Sequence, residues 1–270
     1  MKKFIIFTLI ALIALFAACV EPAGRGIRIE VKVNSPLKSN QETVLMVILF
    51  NNGDAPAKNI QVELSGLSDR WLVDGKPFEG TAIKEVDEIP FLKEKEMKGP
   101  LIQWNLKAPS RETSFDYSYK IKVRYDYETS YEGVIKVVSA SYFTEKNEKG
   151  AVKGNVNSRA PVTIEILAPE ENKELISRGT SVLVKVVVKN VGGGEIVNDR
   201  VKVEESRKIR CQTNEILFER KEGKQAKVAE IYCNLQVEGL DYETVEPVMK
   251  ISYRYEILKE GKIRVEPLLT

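Results

Sequence analysis

The 270-residue sequence contains no histidine. Histidine is the commonest general base of enzymes, the commonest metal ligand and the usual side chain of pH-dependent switches. Its absence excludes a Ser-His-Asp triad, a Cys-His dyad and a histidine-ligated zinc site. We therefore expect a protein without catalytic residues, without a metal site and without a cofactor.

Cysteine is scarce as well, with three residues in the chain. Cys19 belongs to an N-terminal leader, which leaves Cys211 and Cys233 as an even pair. In an exported protein such a pair is expected to form a disulfide, and two separate buried thiols are the alternative. Two thiols without histidine do not complete the ligand shell of a zinc ion.

The chain also lacks an excess of either charge. It has 41 basic and 39 acidic residues, intermixed along its length, and a net charge of +2. A nucleic-acid-binding protein would carry a basic face or stripe that neutralises phosphates. The charge balance therefore argues against a nucleic-acid partner.

A long apolar run occurs only at the N-terminus. Residues 1–3 are Met-Lys-Lys, and the apolar run Phe4–Phe16 that follows is broken only by Thr8. Ala17-Ala18-Cys19 comes next, followed at once by polar sequence. A basic start, a short apolar segment and small residues before a cleavage point are the parts of a secretory signal.

The end of this leader resembles the lipobox of bacterial and archaeal lipoproteins, in which the cysteine is lipidated and becomes the mature N-terminus. Phe16 stands where leucine is preferred. The resemblance implies a signal peptide over residues 1–19, lipidation of Cys19 and a membrane-anchored, extracytoplasmic body. An uncleaved anchor and ordinary secretion are the alternatives, the first because residues 4–20 approach the minimum length of a spanning helix.

Alternation of apolar and polar residues dominates the rest of the chain. Ile27–Val33, Ile60–Leu64 and Lys120–Tyr127 alternate with a period of two, as half-buried strands do. No amphipathic helix pattern occurs outside the leader. Short strands separated by turn signals predict an all-β fold built as a β-sandwich.

The strand pattern occurs twice in the same order. The matched blocks are Ile29–Val31 with Ile164–Ile166, Thr43–Gly53 with Ser181–Gly192, Ile102–Leu106 with Ile231–Leu235, Lys120–Tyr125 with Lys250–Tyr255, and Gly133–Val137 with Gly261–Val265. This order predicts two tandem immunoglobulin-like β-sandwiches, over residues 24–140 and 161–268. Residues 141–160 are charged, carry Gly and Asn, and lack the apolar content of a core, so we interpret them as a linker.

Residues 44–64, with the turn Asn51–Pro56, resemble the CARDB-type cell-adhesion-related domains of archaeal and bacterial surfaces. The second repeat keeps Asn190 and Gly192 but replaces the Ala-Pro stretch with Gly193-Gly194-Glu195. The resemblance covers the first third of each repeat. It implies an immunoglobulin-like sandwich at the cell surface, in a family whose tandem copies act as adhesion, stalk or scaffolding modules.

A dense stripe of tyrosines is the candidate binding feature of the body. Its members, which share one face at period two, are Tyr117, Tyr119, Tyr125, Tyr127 and Tyr131. Cross-strand aromatic packing inside the fold is one explanation of such a stripe. An exposed platform for a glycan or a protein is the other, because tyrosine is enriched at interfaces.

These features predict a membrane-anchored, extracytoplasmic binding or scaffolding module with a role in adhesion or surface structure. Its expected partners are the membrane, through the N-terminal lipid or anchor, and an unidentified surface protein or glycan. An accessory subunit of a membrane complex, such as a transporter or a secretion apparatus, is the alternative. A carboxylate-based extracellular hydrolase is disfavoured because no pair of acids lies in an apolar frame.

Overall fold

The computed structural model describes residues 26–91, 97–169, 175–177 and 179–268. The predicted signal peptide, residues 1–19 with the lipidation site Cys19, lies outside the described residues. The described part of the chain is all-β, with one short α-helix and one 3-10 turn. The all-β fold class predicted from the sequence is confirmed.

The strands differ widely in length. In chain order they are β1 (Ile27–Lys32), β2 (Leu37–Lys38), β3 (Glu42–Asn51), β4 (Ala57–Ser65), β5 (Leu72–Val73), β6 (Lys76–Pro77), β7 (Thr81–Ile89), β8 (Met97–Lys107), β9 (Phe115–Ser139), β10 (Ala151–Asn157), β11 (Val162–Leu167), β12 (Ile176–Ser177), β13 (Ser181–Asn190), β14 (Glu195–Ile196), β15 (Arg200–Arg207), β16 (Ile209–Cys211), β17 (Glu215–Leu217), β18 (Arg220–Lys221), β19 (Lys224–Gln225), β20 (Val228–Gln236), β21 (Tyr242–Val245) and β22 (Val248–Glu266). The helix α1 is Ala140–Lys146 and the 3-10 turn is Val197–Asp199.

These strands form three main sheets. The first face sheet has the order β1-β3-β8-β5-β6, and the second face sheet has the order β11-β13-β20-β16. The central sheet has eleven strands, with the path β17-β15-β22-β9-β4-β7 and with β2, β10, β12, β14 and β21 paired beside it. The face sheets correspond strand by strand, because Trp104 lies opposite Leu45 in the first as Cys233 lies opposite Val184 in the second.

Side chains of alternating direction form the core. On β9 the odd-numbered residues from Tyr117 to Val137 are buried, and the even-numbered residues between them are exposed or half-buried. This period of two is what a strand with one covered face requires. Most of the buried apolar residues of the described chain form one contiguous cluster, which is consistent with a β-sandwich.

β9 is long enough to contact both face sheets. It has 25 residues, and it pairs antiparallel with the 19-residue β22 along Phe115–Glu132 and Val248–Val265. Near its middle, Tyr125 Oη accepts a hydrogen bond from the amide of Ile27 in the first face sheet (3.3 Å). Four residues later, Thr129 Oγ1 donates to the carbonyl of Val162 in the second face sheet (2.7 Å).

β22 crosses the molecule in the opposite direction. Its Tyr255 Oη donates to Asn190 Oδ1 of the second face sheet (2.8 Å). Its far end pairs with β2, where Leu37 lies beside Val265. The parts of the chain before and after α1 are therefore joined by one continuous ladder of backbone hydrogen bonds.

An approximate two-fold relation connects the two long strands. Tyr127 Oη donates to Asn51 Oδ1 at the end of β3 (3.2 Å), and Tyr255 Oη donates to Asn190 Oδ1 at the end of β13 (2.8 Å). Tyr127 and Tyr255 are thus counterparts, and 128 is the difference between their numbers. Adding 128 to the number of a β9 residue gives its counterpart on β22.

The register of the ladder corrects the repeat that the sequence indicated. Tyr125 pairs with Tyr255, and Tyr127 pairs with Tyr253. The sequence comparison matched Tyr125 with Tyr255, but these two are cross-strand neighbours. The match is displaced by two residues because tyrosine recurs at every second position of both strands.

The segment 141–160, interpreted as a linker, carries regular structure. Ser139 Oγ accepts a hydrogen bond from the amide of Tyr142 at the start of α1. The helix ends at Asn147, whose backbone has the left-handed conformation. β10 then pairs antiparallel with residues 131–136 of β9. The backbone hydrogen bonds that hold β10 are made with β9, on the other side of α1 in the sequence. The composition of residues 141–160 does not reveal this pairing.

Cys211 and Cys233 form the predicted disulfide. They lie opposite each other in the register of β16 and β20. The bridge ties the short edge strand β16 to the neighbouring strand β20 of the second face sheet.

We predict that replacing both cysteines, as Cys211→Ala with Cys233→Ala, lowers the free energy of unfolding by about 3 kcal/mol, because the bridge restricts the unfolded chain. The sequence separation that it closes is 22 residues. Denaturant titration of the oxidised, reduced and doubly substituted proteins measures the effect. Equal midpoints for all three, or an intact mass that does not change by two protons on reduction, would contradict it.

Candidate functional site

The tyrosine stripe lies inside the fold. All five side chains of the predicted binding face, Tyr117, Tyr119, Tyr125, Tyr127 and Tyr131, are at most 6% exposed. They point from the central sheet toward the face sheets and do not form a surface platform. Period-two spacing placed them on one face, but it does not say whether that face is covered. Their burial agrees with the other explanation of the stripe, which is aromatic packing inside the fold.

Two Asn-x-Gly turns hold tyrosines in the same way. Asn51 Oδ1 accepts hydrogen bonds from Tyr127 Oη and from the amide of Gly53 (3.1 Å). Asn190 Oδ1 accepts the equivalent two hydrogen bonds, from Tyr255 Oη (2.8 Å) and from the amide of Gly192 (3.2 Å). A Cβ atom at Gly53 would lie 1.8 Å from Tyr127 Oη. Glycine is required there because the tyrosine hydroxyl occupies the space of a side chain.

Burial changes the ionisation of these phenols. It raises the pKa of Tyr127 and of Tyr255 to about 12, and it raises the pKa of Tyr125 and of Tyr253 well above the ordinary value. A buried phenolate loses its hydration, so the neutral phenol is favoured. The tyrosines are therefore hydrogen-bonding core residues across the physiological pH range.

The opposite face of the central sheet carries charged side chains in cross-strand pairs. Arg254 lies 2.9 Å from Asp126 at the two-fold centre, and Arg124 lies 2.6 Å from Glu256 one step along the ladder. Glu63 of β4 extends the row, 3.7 Å from Arg124. Exposed pairs of this kind contribute about 1 kcal/mol or less to stability. Their main effect is to fix the positions of charges on the surface.

A groove of about 790 Å³ follows this charged face. Its charged lining comprises five basic residues (Lys58, Arg200, Lys202, Lys250, Arg254) and five acidic residues (Asp126, Glu128, Glu204, Glu205, Glu215). A second groove of about 460 Å³ adjoins it and shares Val197, Asn198 and Arg254. The formal charges of the first groove's lining cancel.

The 3-10 turn between the grooves is fixed by an ion-pair network. Arg220 donates hydrogen bonds to both carboxylate oxygens of Asp199 and to Glu195. Gln225 Nε2 also donates to Asp199 Oδ1 (2.6 Å). These hydrogen bonds hold Asn198, whose backbone has a φ of 61°, at the rim of both grooves.

The two carboxylates with displaced pKa values near the grooves are more acidic than usual. The Ser252 hydroxyl, which donates to Glu204 Oε1 (2.6 Å), lowers the pKa of Glu204. Arg220 lowers the pKa of Asp199. A glycosidase needs a general acid whose pKa is raised. Neither Asp199 nor Glu204 therefore has the raised pKa of such an acid.

The charged face was not identified from the sequence. The signal is present in the even-numbered residues of β9, where Arg124, Asp126 and Glu128 separate the tyrosines. Within the described residues, no three Asp, Glu or Cys side chains cluster as ligands of a metal ion. Helices are short in the same part of the chain, and none has the length or hydropathy of a membrane-spanning segment.

A scan against protein-family models finds no match to this chain, and a search of curated proteins finds none either. Among solved structures, the chain is similar to a variant of Salmonella alpha-2-macroglobulin, at 12% identity and a TM-score of 0.20, over 90% of this chain and 16% of that one. Native Escherichia coli alpha-2-macroglobulin matches at 9% identity and a TM-score of 0.20, over 91% and 17% of the two chains. The trypsin-activated Escherichia coli protein matches at 10% identity and a TM-score of 0.19, over 91% and 18%. The chain therefore spans less than a fifth of these proteins.

We predict a loss of stability at alkaline pH that Tyr127→Phe with Tyr255→Phe makes shallower. In the folded protein both groups have a pKa of about 12, against an ordinary value of 10.0. Folding thus keeps protons that the unfolded chain releases, so this contribution to stability is full below pH 10 and is lost as pH rises toward 12. Denaturant midpoints measured from pH 8 to pH 12 test this. The exposed Tyr232→Phe is the matched control, and identical pH profiles for all three proteins would contradict the prediction.

Proposed function

We propose that the protein is a membrane-anchored, extracytoplasmic scaffold in which two immunoglobulin-like β-sandwiches, fused through β9 and β22, bind surface partners without catalysing a reaction. The β9–β22 ladder is the observation that carries this proposal. Tandem modules on a linker reorient by default, whereas two sandwiches that share a sheet hold their faces in a fixed geometry. The resemblance of residues 44–64 to CARDB-type surface domains agrees with such a role.

The position of Gly26 supports a scaffolding role. A Cβ atom at Gly26, the first described residue, would lie 2.9 Å from Tyr125 Oη and 3.0 Å from Pro161 Cδ. This position is close to the two-fold centre of the central sheet. Cys19 and Gly26 are seven positions apart in the sequence, a span of at most roughly 25 Å. A lipid on Cys19 would therefore hold both sandwiches close to the membrane, so that neither would stand above the other.

The charged grooves supply a binding surface of matching chemistry. Because their positive and negative groups balance, they do not favour a polyanion. Fixed donors and acceptors of both kinds suit a polar protein surface or a glycan. The partner class that we propose is therefore a surface protein or a glycan at the membrane.

Metabolic labelling with a lipid precursor tests the anchor. The full-length wild type is expected to incorporate label and to stay in the membrane fraction, and Cys19→Ser is expected to lose the label. The disulfide variant Cys211→Ala with Cys233→Ala is the matched control, because it changes cysteines of the body and should still be labelled. Equal labelling of the wild type and Cys19→Ser would refute lipid anchoring.

Crosslinking and affinity capture from solubilised native membranes test the scaffold. The proposal predicts that a surface protein or a glycan is captured with the chain, in a proportion that varies between preparations. Variants in the charged groove, such as Arg254→Ala, are expected to capture less of it. A membrane-complex partner recovered at fixed stoichiometry would instead make the chain an accessory subunit of that complex. Turnover of a glycan by the purified protein would overturn the non-catalytic assignment.

A further inference from the structure

The central sheet has one strand position that is filled near the second face sheet and open near the first. Beside the second face sheet, β10 pairs with residues 131–136 of β9. The two-fold counterparts of those residues are 259–264 of β22. On that side of β22, β14 pairs with Tyr255 and Glu256, and β2 pairs from Val265 onward. No strand of the described chain pairs with β22 between them. We call residues 257–264 the open edge.

The exposure of apolar side chains on β1 shows that the described residues do not fill the space beside the open edge. Ile164 and Ile166 of β11 are 1% and 0% exposed. Their counterparts on β1, Ile29 and Val31, are only half-buried. The buried Tyr131 on β9 likewise corresponds to the exposed Lys259 on β22. The first sandwich is therefore open along a cleft that β10 closes in the second.

Backbone groups of the open edge point into this cleft. The amide of Arg264 donates to Ser35 Oγ on that side (3.0 Å). Alternation along an antiparallel strand places the amides of Lys262, Glu260 and Leu258 on the same side. They have no bonding partner among the described residues. A row of unpaired amides and carbonyls at a sheet edge is the template for β-strand addition.

The second sandwich shows what a strand in this position does. Asn157 of β10 donates to the carbonyl of Ile164 and accepts its amide, each at 2.8 Å. Asn155 accepts the amide of Ile166 (3.1 Å). The strand thus pairs with the central sheet through its backbone and covers the edge of the face sheet with its side chains.

The chain's own N-terminal sequence lacks the features of β10. Asn157 stands five residues before Val162, and the residue five before Ile27 is Pro22. Proline has neither an amide hydrogen nor a polar side chain that reproduces the contacts of Asn157. Cleavage before Cys19 would also leave eight residues before Ile27, whereas β10 begins eleven residues before Val162.

A second copy of the chain is also a poor occupant. Lys259 and Lys262 have no ion-pair partner among the described residues, while Glu260 between them pairs with Lys120 (3.0 Å). Antiparallel pairing of two open edges would bring these lysines together. Lysine on an edge strand opposes such self-association.

We propose that the open edge is the docking site for an extended segment of a partner protein, which adds as an antiparallel strand to β22, covers Ile29 and Val31 and carries an acidic residue opposite Lys262. Its alternate side chains are apolar or Asn toward the cleft and acidic toward Lys262. This inference rests on the proposed binding function and names the partner's chemistry: a β-strand with a carboxylate opposite Lys262.

The probe is a fluorescent synthetic peptide with the sequence of residues 149–159, in which glutamate replaces the residue at position 154. That residue pairs with Val134, the counterpart of Lys262. A matched peptide carries lysine there. Fluorescence anisotropy with the purified full-length protein should favour the glutamate peptide by about two- to fivefold, the effect of one exposed ion pair. Lys262→Glu, an exposed substitution that keeps the backbone intact, should reverse the preference.

Hydrogen exchange locates the bound strand. Peptide binding should slow exchange of the amides of Leu258, Glu260 and Lys262. The proposal is overturned if the preference does not reverse, if the peptide binds by displacing β10, or if these amides are already protected without peptide by the chain's own N-terminal residues. It is equally overturned if light scattering shows a dimer that Lys262→Glu alters. Lipid labelling of Cys19 is unaffected by each of these outcomes, so the two proposals fail separately.

Discussion

The antiparallel pairing of β9 with β22 is the constraint on which the rest of the structure depends. Because this ladder runs through the middle of the central sheet, each long strand contributes its first part to one side of the molecule and its second part to the other. Backbone pairing leaves little freedom for relative motion, and the inner face carries tyrosines that contact both face sheets. The charged grooves inherit their rigidity from the same ladder.

The tyrosines and the Asn-x-Gly turns fix the two face sheets on this frame. A phenol has an apolar ring for the core and a hydroxyl that needs a partner when buried. Asn51 and Asn190 supply that partner, and the glycine two residues later leaves room for the hydroxyl. The turn that resembles a surface-domain motif is therefore a structural joint, repeated once in each half of the chain.

Sequence predicted well what depends on local pattern. Period-two alternation gave the all-β class, the even cysteine pair gave the Cys211–Cys233 disulfide, and the block order matched Trp104 to the position of Cys233, as the registers confirm. It did not give what depends on distant partners. The burial of the tyrosine stripe, the strand β10 and the two-residue shift of the repeat are all set by long-range pairing. The charged face was missed because its residues alternate with the more conspicuous tyrosines.

The structure implies that the two face sheets and the charged grooves keep fixed positions relative to one another, because they share the β9–β22 ladder. The most direct test of that claim is to insert a protease recognition site after Asn147, in the exposed stretch between α1 and β10, and to measure the mass of the cleaved protein in native buffer. The shared ladder predicts that both fragments stay together at the mass of the intact chain and separate only on unfolding. Two folded fragments that separate in native buffer would contradict the account, because they would behave as independent modules on a linker.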